Sequence, residues 1–175
     1  MKYYELIEDG YDKVGGMLYA PSKWPCPIAV DAMEVENWQN LTMELRDGKY
    51  CPFLSCNAGA NMVSEEMKDL LLSFIGDNDN IEFLPVTTKS KEYGDRTYYI
   101  MHFKIIYDVI DTEKTVYVPG TDIIIKVRID QEKAKGLKVF NSRPAVNDVI
   151  VSEDVYHAIK QKKFDTGVEF MLVGF

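Results

Sequence analysis

Residues 63–86 read VSEEMKDLLLSFIGDNDNIEFLPV, which predicts a capped helix followed by a turn and a strand. The Ser64 side chain can accept a bond from a free backbone amide, and the two glutamates after it suit the positive end of a helix dipole. An apolar stripe at i, i+3, i+4 and i+7 predicts a core-facing side, formed by Met67, Leu70, Leu71 and Phe74. Gly76 ends this helix, residues 77–80 form a polar turn, and residues 81–86 form a strand.

A similar string occurs near the end of the sequence. Residues 151–155 (VSEDV) match 63–67 (VSEEM), and residues 168–170 (VEF) match 81–83 (IEF). The match predicts a second helix, again capped by a serine, and a second strand after it. The two units begin about 88 residues apart, so we also predict an internal helix–strand repeat, with a period far longer than that of a solenoid.

Strands are predicted for most of the remaining sequence. Apolar residues alternate with polar ones over 41–45 and 98–107, and most cleanly over 122–130, where Ile123 and Ile125 belong to a face expected to pack on a core. Strands joined by short polar turns outnumber helices. We therefore predict an α+β fold with a mostly antiparallel sheet and a few packed helices. It would form a single domain over 1–175, with an irregular part over 1–60 and its core over 61–175.

Composition limits the class of protein and its partners. The chain has 175 residues, 46% of them hydrophobic, and a formal net charge of −8, as in ordinary globular proteins. It lacks an apolar stretch of about 20 residues or a signal peptide, so we expect a cytoplasmic protein without a membrane partner. Residues 1–120 hold 11 basic and 20 acidic side chains, a net charge of −9. Such a surface argues against a nucleic-acid partner.

Cysteines and histidines offer one catalytic hypothesis. Cys26, Cys51 and Cys56 are an odd and sparse set without zinc-site spacing, and we predict neither a metal site nor a cofactor. Free thiols usually pack as small apolar groups. The competing hypothesis is a nucleophile formed by Cys51 or Cys56 with His102, which would need the sulfur and the imidazole side by side. We expect His102 and His157 to be solvated or hydrogen-bonded without a catalytic role.

Two polar segments carry candidate contact residues for a protein partner. The turn over 77–80 lacks the closing glutamate and further ligands of a calcium loop. The loop over 87–96 joins two strong strands and carries a tyrosine near its tip, and such rings provide contact area at small entropy loss. The candidate residues are Asp77, Asp79, Glu92, Tyr93 and Asp95.

Seven short motifs follow one another along the chain: Glu36-Asn37-Trp38, VSEEM (63–67), IEFLPV (81–86), YYIM (98–101), DVID (108–111), IVSE (150–153) and TGVEF (166–170). Their order resembles a bacterial family first described as a domain of unknown function and later grouped with the immunity proteins of polymorphic toxin systems. The resemblance covers nearly the whole chain, and most clearly residues 60–175. One departure is Trp38-Gln39, where the family usually has tryptophan and proline.

The resemblance implies a protein that binds a cognate toxin and blocks it without catalytic machinery. The five candidate residues would then contact the toxin, and the charge of −9 would favour a basic, nuclease-like toxin. Two further functions stay open at this point. One is an enzyme that uses a cysteine–histidine pair, and the other is a small-ligand module with a deep apolar pocket.

Overall fold

The computed structural model describes residues 1–8, 16–21, 32, 35–75, 81–142 and 149–173. These residues contain thirteen strands and two helices. The strands of the first half are β1 Tyr3–Glu8, β2 Met17–Tyr19, β3 Leu41–Asp47, β4 Phe53–Cys56, β5 Met62–Val63, β6 Ile81–Lys89 and β7 Arg96–Phe103. The remaining elements are α1 Glu65–Ile75, β8 Ile106–Tyr107, β9 Val116–Tyr117, β10 Ile124–Lys126, β11 Val139–Ser142, β12 Val149–Ser152, α2 Glu153–Lys162 and β13 Val168–Val173.

Six strands form a closed barrel in the order β2-β3-β6-β7-β5-β4. Most neighbours are antiparallel, but β3 with β6 and β2 with β4 are parallel pairs. Side chains from every strand fill the interior, and Leu18, Met43, Met62, Val86 and Ile100 are fully buried there. Closure leaves no unpaired strand edge in this sheet, so the interior of the barrel forms one apolar core.

A second sheet has five strands in the order β13-β1-β12-β11-β8. Alternate residues of its strands serve two different clusters of buried side chains, as in β12, where Val149 and Val151 enter one cluster and Ile150 the other. The first cluster also contains residues of the barrel wall, among them Phe53 and Met101, and the inner faces of both helices. The helices therefore lie in a core that the barrel and the five-stranded sheet share.

Both helices form where the sequence predicts them. The backbone amide of Met67 donates to Ser64 Oγ at 3.3 Å, which confirms the predicted cap of α1. Ser152 precedes α2 but makes no side-chain cap bond, because its hydroxyl lies against the Asp154 carboxylate instead. Gly76 and the turn over 77–80 lie outside the described residues. The described helices are too short to span a membrane.

The predicted fold class was wrong. Strands are the predominant secondary structure of the described residues, and they form a closed barrel, a five-stranded sheet and a two-stranded sheet rather than one antiparallel sheet with helices against it. Alternation marks a strand but does not show which strand lies beside it. The barrel closes through parallel pairs such as Leu41 with Val86, which join segments far apart in sequence. Such long-range pairing has no local signature.

The two helix–strand units share a local arrangement but not an order along the chain. The strands that flank α1, β5 and β6, both pair with β7, and those that flank α2, β12 and β13, both pair with β1. In the first unit this shared partner, β7, follows the unit in sequence. In the second unit the shared partner, β1, lies far before the unit. The units also belong to different sheets. The predicted simple repeat therefore does not describe the chain order.

The prediction for 122–130 was wrong as well. Only Ile124–Lys126 is a strand, paired with β9 in a two-stranded sheet. Ile129 is buried, but Ile123 and Ile125 are 64% and 63% exposed. Apolar and polar residues do alternate over 122–130. Much of the predicted apolar face is nevertheless exposed rather than packed on a core.

Candidate functional site

Three of the five candidate residues line one cleft. Glu92, Tyr93 and Asp95 belong to the loop between β6 and β7, which faces the end of β3 across a cleft of about 650 Å³. Asp77 and Asp79 lie outside the described residues. The cleft is lined by Glu44, Leu45, Arg46, Gly48, Lys89, Ser90, Lys91, Glu92, Tyr93 and Asp95.

The loop has a defined backbone. Ser90 Oγ accepts bonds from the amides of Glu92 and Tyr93 at 3.3 and 3.2 Å, and the Ser90 carbonyl accepts one from Gly94 at 3.1 Å. Gly94 has φ 74°, in the left-handed region that glycine adopts without steric strain. A serine that bonds two following amides and a glycine that closes the turn hold the loop in one shape, so that its side chains project from a fixed base.

Tyr50 anchors this loop to the barrel. Its hydroxyl donates to the Gly94 carbonyl at 3.1 Å and lies 3.0 Å from Oγ1 of the fully buried Thr88. Its ring stacks on Tyr98 with 5.5 Å between centroids, and Tyr93 meets the ring edge-on at 6.4 Å. Tyr93 is thus 41% exposed but oriented by a neighbour that the barrel holds in place.

Arg96 also contacts the Tyr50 ring that anchors the loop. Its guanidinium lies over the Tyr50 ring, 4.6 Å from the centroid, in a cation–π contact. Hydrogen bonds from the Glu66 amide and the Ser64 hydroxyl lower the pKa of Glu66 at the start of α1, and the Arg96 cation adds a smaller effect in the same direction. The loop, the barrel wall and the first turn of α1 are therefore linked.

The cleft carries charges of both signs. Glu44, Glu92 and Asp95 are acidic, and Arg46, Lys89 and Lys91 are basic. Arg46 donates to Glu44 at 3.0 Å and lies over the Tyr19 ring, 4.6 Å from the centroid. A hydrogen bond with the Glu92 carboxylate raises the pKa of Tyr93. A rim of mixed charge around an exposed tyrosine is suited to recognising a protein surface.

Sequence reasoning missed several residues of this site. Tyr50 and Arg96 support the loop, and Glu44 and Arg46 form the opposite wall. The sequence contains one signal for this wall: the strand predicted over 41–45 is followed by Asp47-Gly48, a pair typical of turns, and polar side chains lie beside this strand end. Nothing local links that strand end to a loop more than 40 residues away.

The two thiols and His102 interact with other groups rather than with each other. Cys51 and Cys56 are buried in the barrel core, and Cys51 Sγ donates to the Phe53 carbonyl at 2.7 Å. His102 is also buried, with Nε2 3.6 Å from Glu82 Oε1, whereas His157 is exposed beside Tyr156. Burial raises the pKa of both thiols. A raised pKa disfavours the thiolate, which is the opposite of what a nucleophilic cysteine requires.

Slow thiol alkylation in the native protein is therefore expected. In a Cys26→Ser background, iodoacetamide at neutral pH should modify Cys51 and Cys56 at least about tenfold more slowly in the folded protein than in urea, because burial removes both access and thiolate. Mass spectrometry after timed quenching measures both rates. A cysteine that reacts as fast when folded as when unfolded would instead support an enzyme with a cysteine–histidine pair.

A small-ligand module finds little support in the described residues. Such a module would need a deep pocket with an apolar lining. Seven of the ten residues that line the cleft at the β6–β7 loop are charged or polar, and Leu45 and Tyr93 are its large apolar members. Within the same part of the chain, no group of three or more histidine, cysteine, aspartate or glutamate side chains is arranged to hold a metal ion. The cleft is therefore better suited to a polar protein surface than to an apolar small molecule.

Comparison with known families gives a match over most of the chain. A model described as "Immunity protein family (Imm11)" matches residues 34–174, well over half of the chain. The matched range includes the whole cleft and both helices. The comparison with curated proteins finds no match.

Proposed function

The chain belongs to the Immunity protein family (Imm11), and from this premise we propose that it binds a cognate bacterial toxin and neutralises it by covering the toxin's active site. The observation that carries the proposal is the match over residues 34–174. Binding would take place in the cytoplasm and would require no catalysis by this chain. The raised pKa of the Cys51 and Cys56 thiols supports a non-catalytic role.

We propose that the β6–β7 loop and the cleft beside it form the toxin-binding surface. The loop backbone is fixed by Ser90 and Gly94, so little conformational entropy is lost when the loop binds. Tyr93 offers an exposed ring at the loop tip, the kind of side chain on which binding energy concentrates. The cleft of about 650 Å³ could receive side chains of the toxin.

We further propose that the toxin's contact surface is basic, as it would be in a nuclease that must hold phosphates. The charge of −9 on residues 1–120 supports this, because opposite net charges accelerate encounter. Within the cleft, where three acidic and three basic side chains balance, Glu92 and Asp95 are exposed and would be the loop acids that contact a basic partner.

Co-expression tests the proposed function directly. The toxin domain encoded beside this gene should arrest growth when produced alone, and production of this chain should restore growth and yield a complex of the two proteins on gel filtration. An unrelated immunity protein of similar acidity provides the control for charge alone. Growth arrest that persists, together with the absence of a complex, would contradict the proposal.

Charge reversal at the loop should slow association. The variant Glu92→Lys/Asp95→Lys is expected to lower the association rate constant by about tenfold at low salt, with a smaller effect at high salt, because steering is screened. The control Glu132→Lys/Glu169→Lys makes the same change in net charge at exposed residues outside the cleft. Stopped-flow fluorescence measures both rates. Equal rates in the two variants would mean that the loop does not face the toxin.

A further inference from the structure

The β9–β10 hairpin exposes three large apolar side chains. Val116, Ile123 and Ile125 are 45%, 64% and 63% exposed, and all three lie in or next to this two-stranded sheet. Single apolar residues on a surface are common, but a cluster on one short hairpin indicates a contact site.

The hairpin is firmly attached at its base and closed at its tip. The Asp111 amide donates to the Arg128 carbonyl and the Asp130 amide to the Val109 carbonyl, both at 2.8 Å. At the tip, the Thr121 amide donates to the Val118 carbonyl at 3.1 Å across Pro119 and Gly120, and Gly120 has φ 76°. Proline followed by a glycine of positive φ is typical of a type II turn. The apolar cluster is therefore presented on a defined element.

The outer edge of β10 is unpaired among the described strands, since β9 is its one neighbour. The Ile123 carbonyl accepts a bond from the Val118 amide of the β9 side, so the amide and carbonyl of Ile124 point away from β9. A register shift against β9 occurs between Ile124 and Lys126 but leaves Ile124 in register with Tyr117. An exposed edge of this kind is a template for another strand.

The sequence of this edge is complementary to itself. Residues 122–126 read Asp-Ile-Ile-Ile-Lys. If two copies pair antiparallel about Ile124, Asp122 of each copy lies opposite Lys126 of the other, and Ile123 lies opposite Ile125. Both charged residues are exposed, and neither has an ion-pair partner within the described chain. The pairing would supply both charge partners and cover both exposed isoleucines.

We propose that the chain forms a homodimer through antiparallel pairing of β10 with β10 of a second copy. The result is a continuous four-stranded sheet around a two-fold axis, in which the same surface serves both subunits. Among the described strands, β13 also lies at a sheet edge but lacks this self-complementarity: it exposes Met171 and Leu172 at 48% and 43%, and Glu169 is its one charged residue. The proposal does not depend on the toxin-binding function.

Charge swaps test the dimer. Analytical ultracentrifugation of the full chain at low salt should show a monomer–dimer equilibrium. Asp122→Lys and Lys126→Asp should each raise the dimer dissociation constant by about tenfold or more, since like charges then face each other twice. An equimolar mixture of the two variants should form a heterodimer, and the double variant D122K/K126D should dimerise like the original chain.

Three results would overturn the proposal. One is a chain that stays monomeric up to about 1 mM. Another is a dimer that neither single variant weakens. The third is a monomer whose affinity for the toxin falls in the single variants, which would assign the hairpin to the toxin interface instead. Circular dichroism melting controls for folding, and the double variant separates a lost pairing from a damaged hairpin.

Discussion

Replacing Tyr93 with alanine is expected to weaken toxin binding by about 2 kcal/mol, roughly thirtyfold in Kd, while leaving the protein folded. The ring is 41% exposed, so its removal opens no cavity in the core. It stands at the tip of a loop that Ser90 and Gly94 fix, and the edge-on contact with Tyr50 orients it before binding. A ring oriented in advance loses little side-chain entropy on binding, which favours a large contribution to affinity.

Leu72→Ala is a matched control for Tyr93→Ala. Leu72 has the same exposed fraction, 41%, but lies on α1 and does not line the cleft. Isothermal titration calorimetry with the purified toxin domain measures both dissociation constants, and thermal melting checks that both variants are folded. We expect Leu72→Ala to bind like the original chain. If Tyr93→Ala keeps full affinity and Leu72→Ala loses it, the binding surface includes α1 rather than the β6–β7 loop.

Part of this site could be predicted from the sequence. Alternation predicts the strands on either side of the loop, and a polar loop with Tyr93 near its tip marks a contact candidate. The structure places Glu92, Tyr93 and Asp95 together on one cleft. The opposite wall could not be found, because Glu44 and Arg46 reach the cleft only through the parallel pairing of β3 with β6.

The fold, like the site, could be predicted from the sequence only in part. Local chemistry predicts α1, since the Ser64 cap and the apolar stripe lie within one short segment. Closure of the barrel depends on strand pairs between distant segments, and periodicity carries no information on them. At Ile123 and its neighbours, the sequence pattern predicts a strand face but not its burial. The alternation indicates an apolar face, but only the surrounding structure decides whether anything covers that face.

Gly167→Ala is expected to lower the free energy of unfolding by about 3 kcal/mol or more. Gly167 has φ 89°, where any other L-residue is strained by about 1–2 kcal/mol. An added methyl group would also overlap the Phe53 carbonyl oxygen and lie 2.8 Å from Cys51 Sγ. Both atoms belong to the barrel wall or its core, and overpacking of such a site costs about 1–3 kcal/mol more. The two effects together give the expected loss.

Gly136→Ala separates these two effects. Gly136 has a nearly equal φ of 85°, but a methyl group there would meet no atom within 4 Å. The control variant should therefore lose only the backbone contribution of about 1–2 kcal/mol. Urea unfolding followed by tryptophan fluorescence measures both free energies. Equal losses in the two variants would contradict the close approach of the turn before β13 to Phe53. A larger loss at Gly167 would show that the turn before β13 lies against the barrel wall at Phe53 with no room for a side chain.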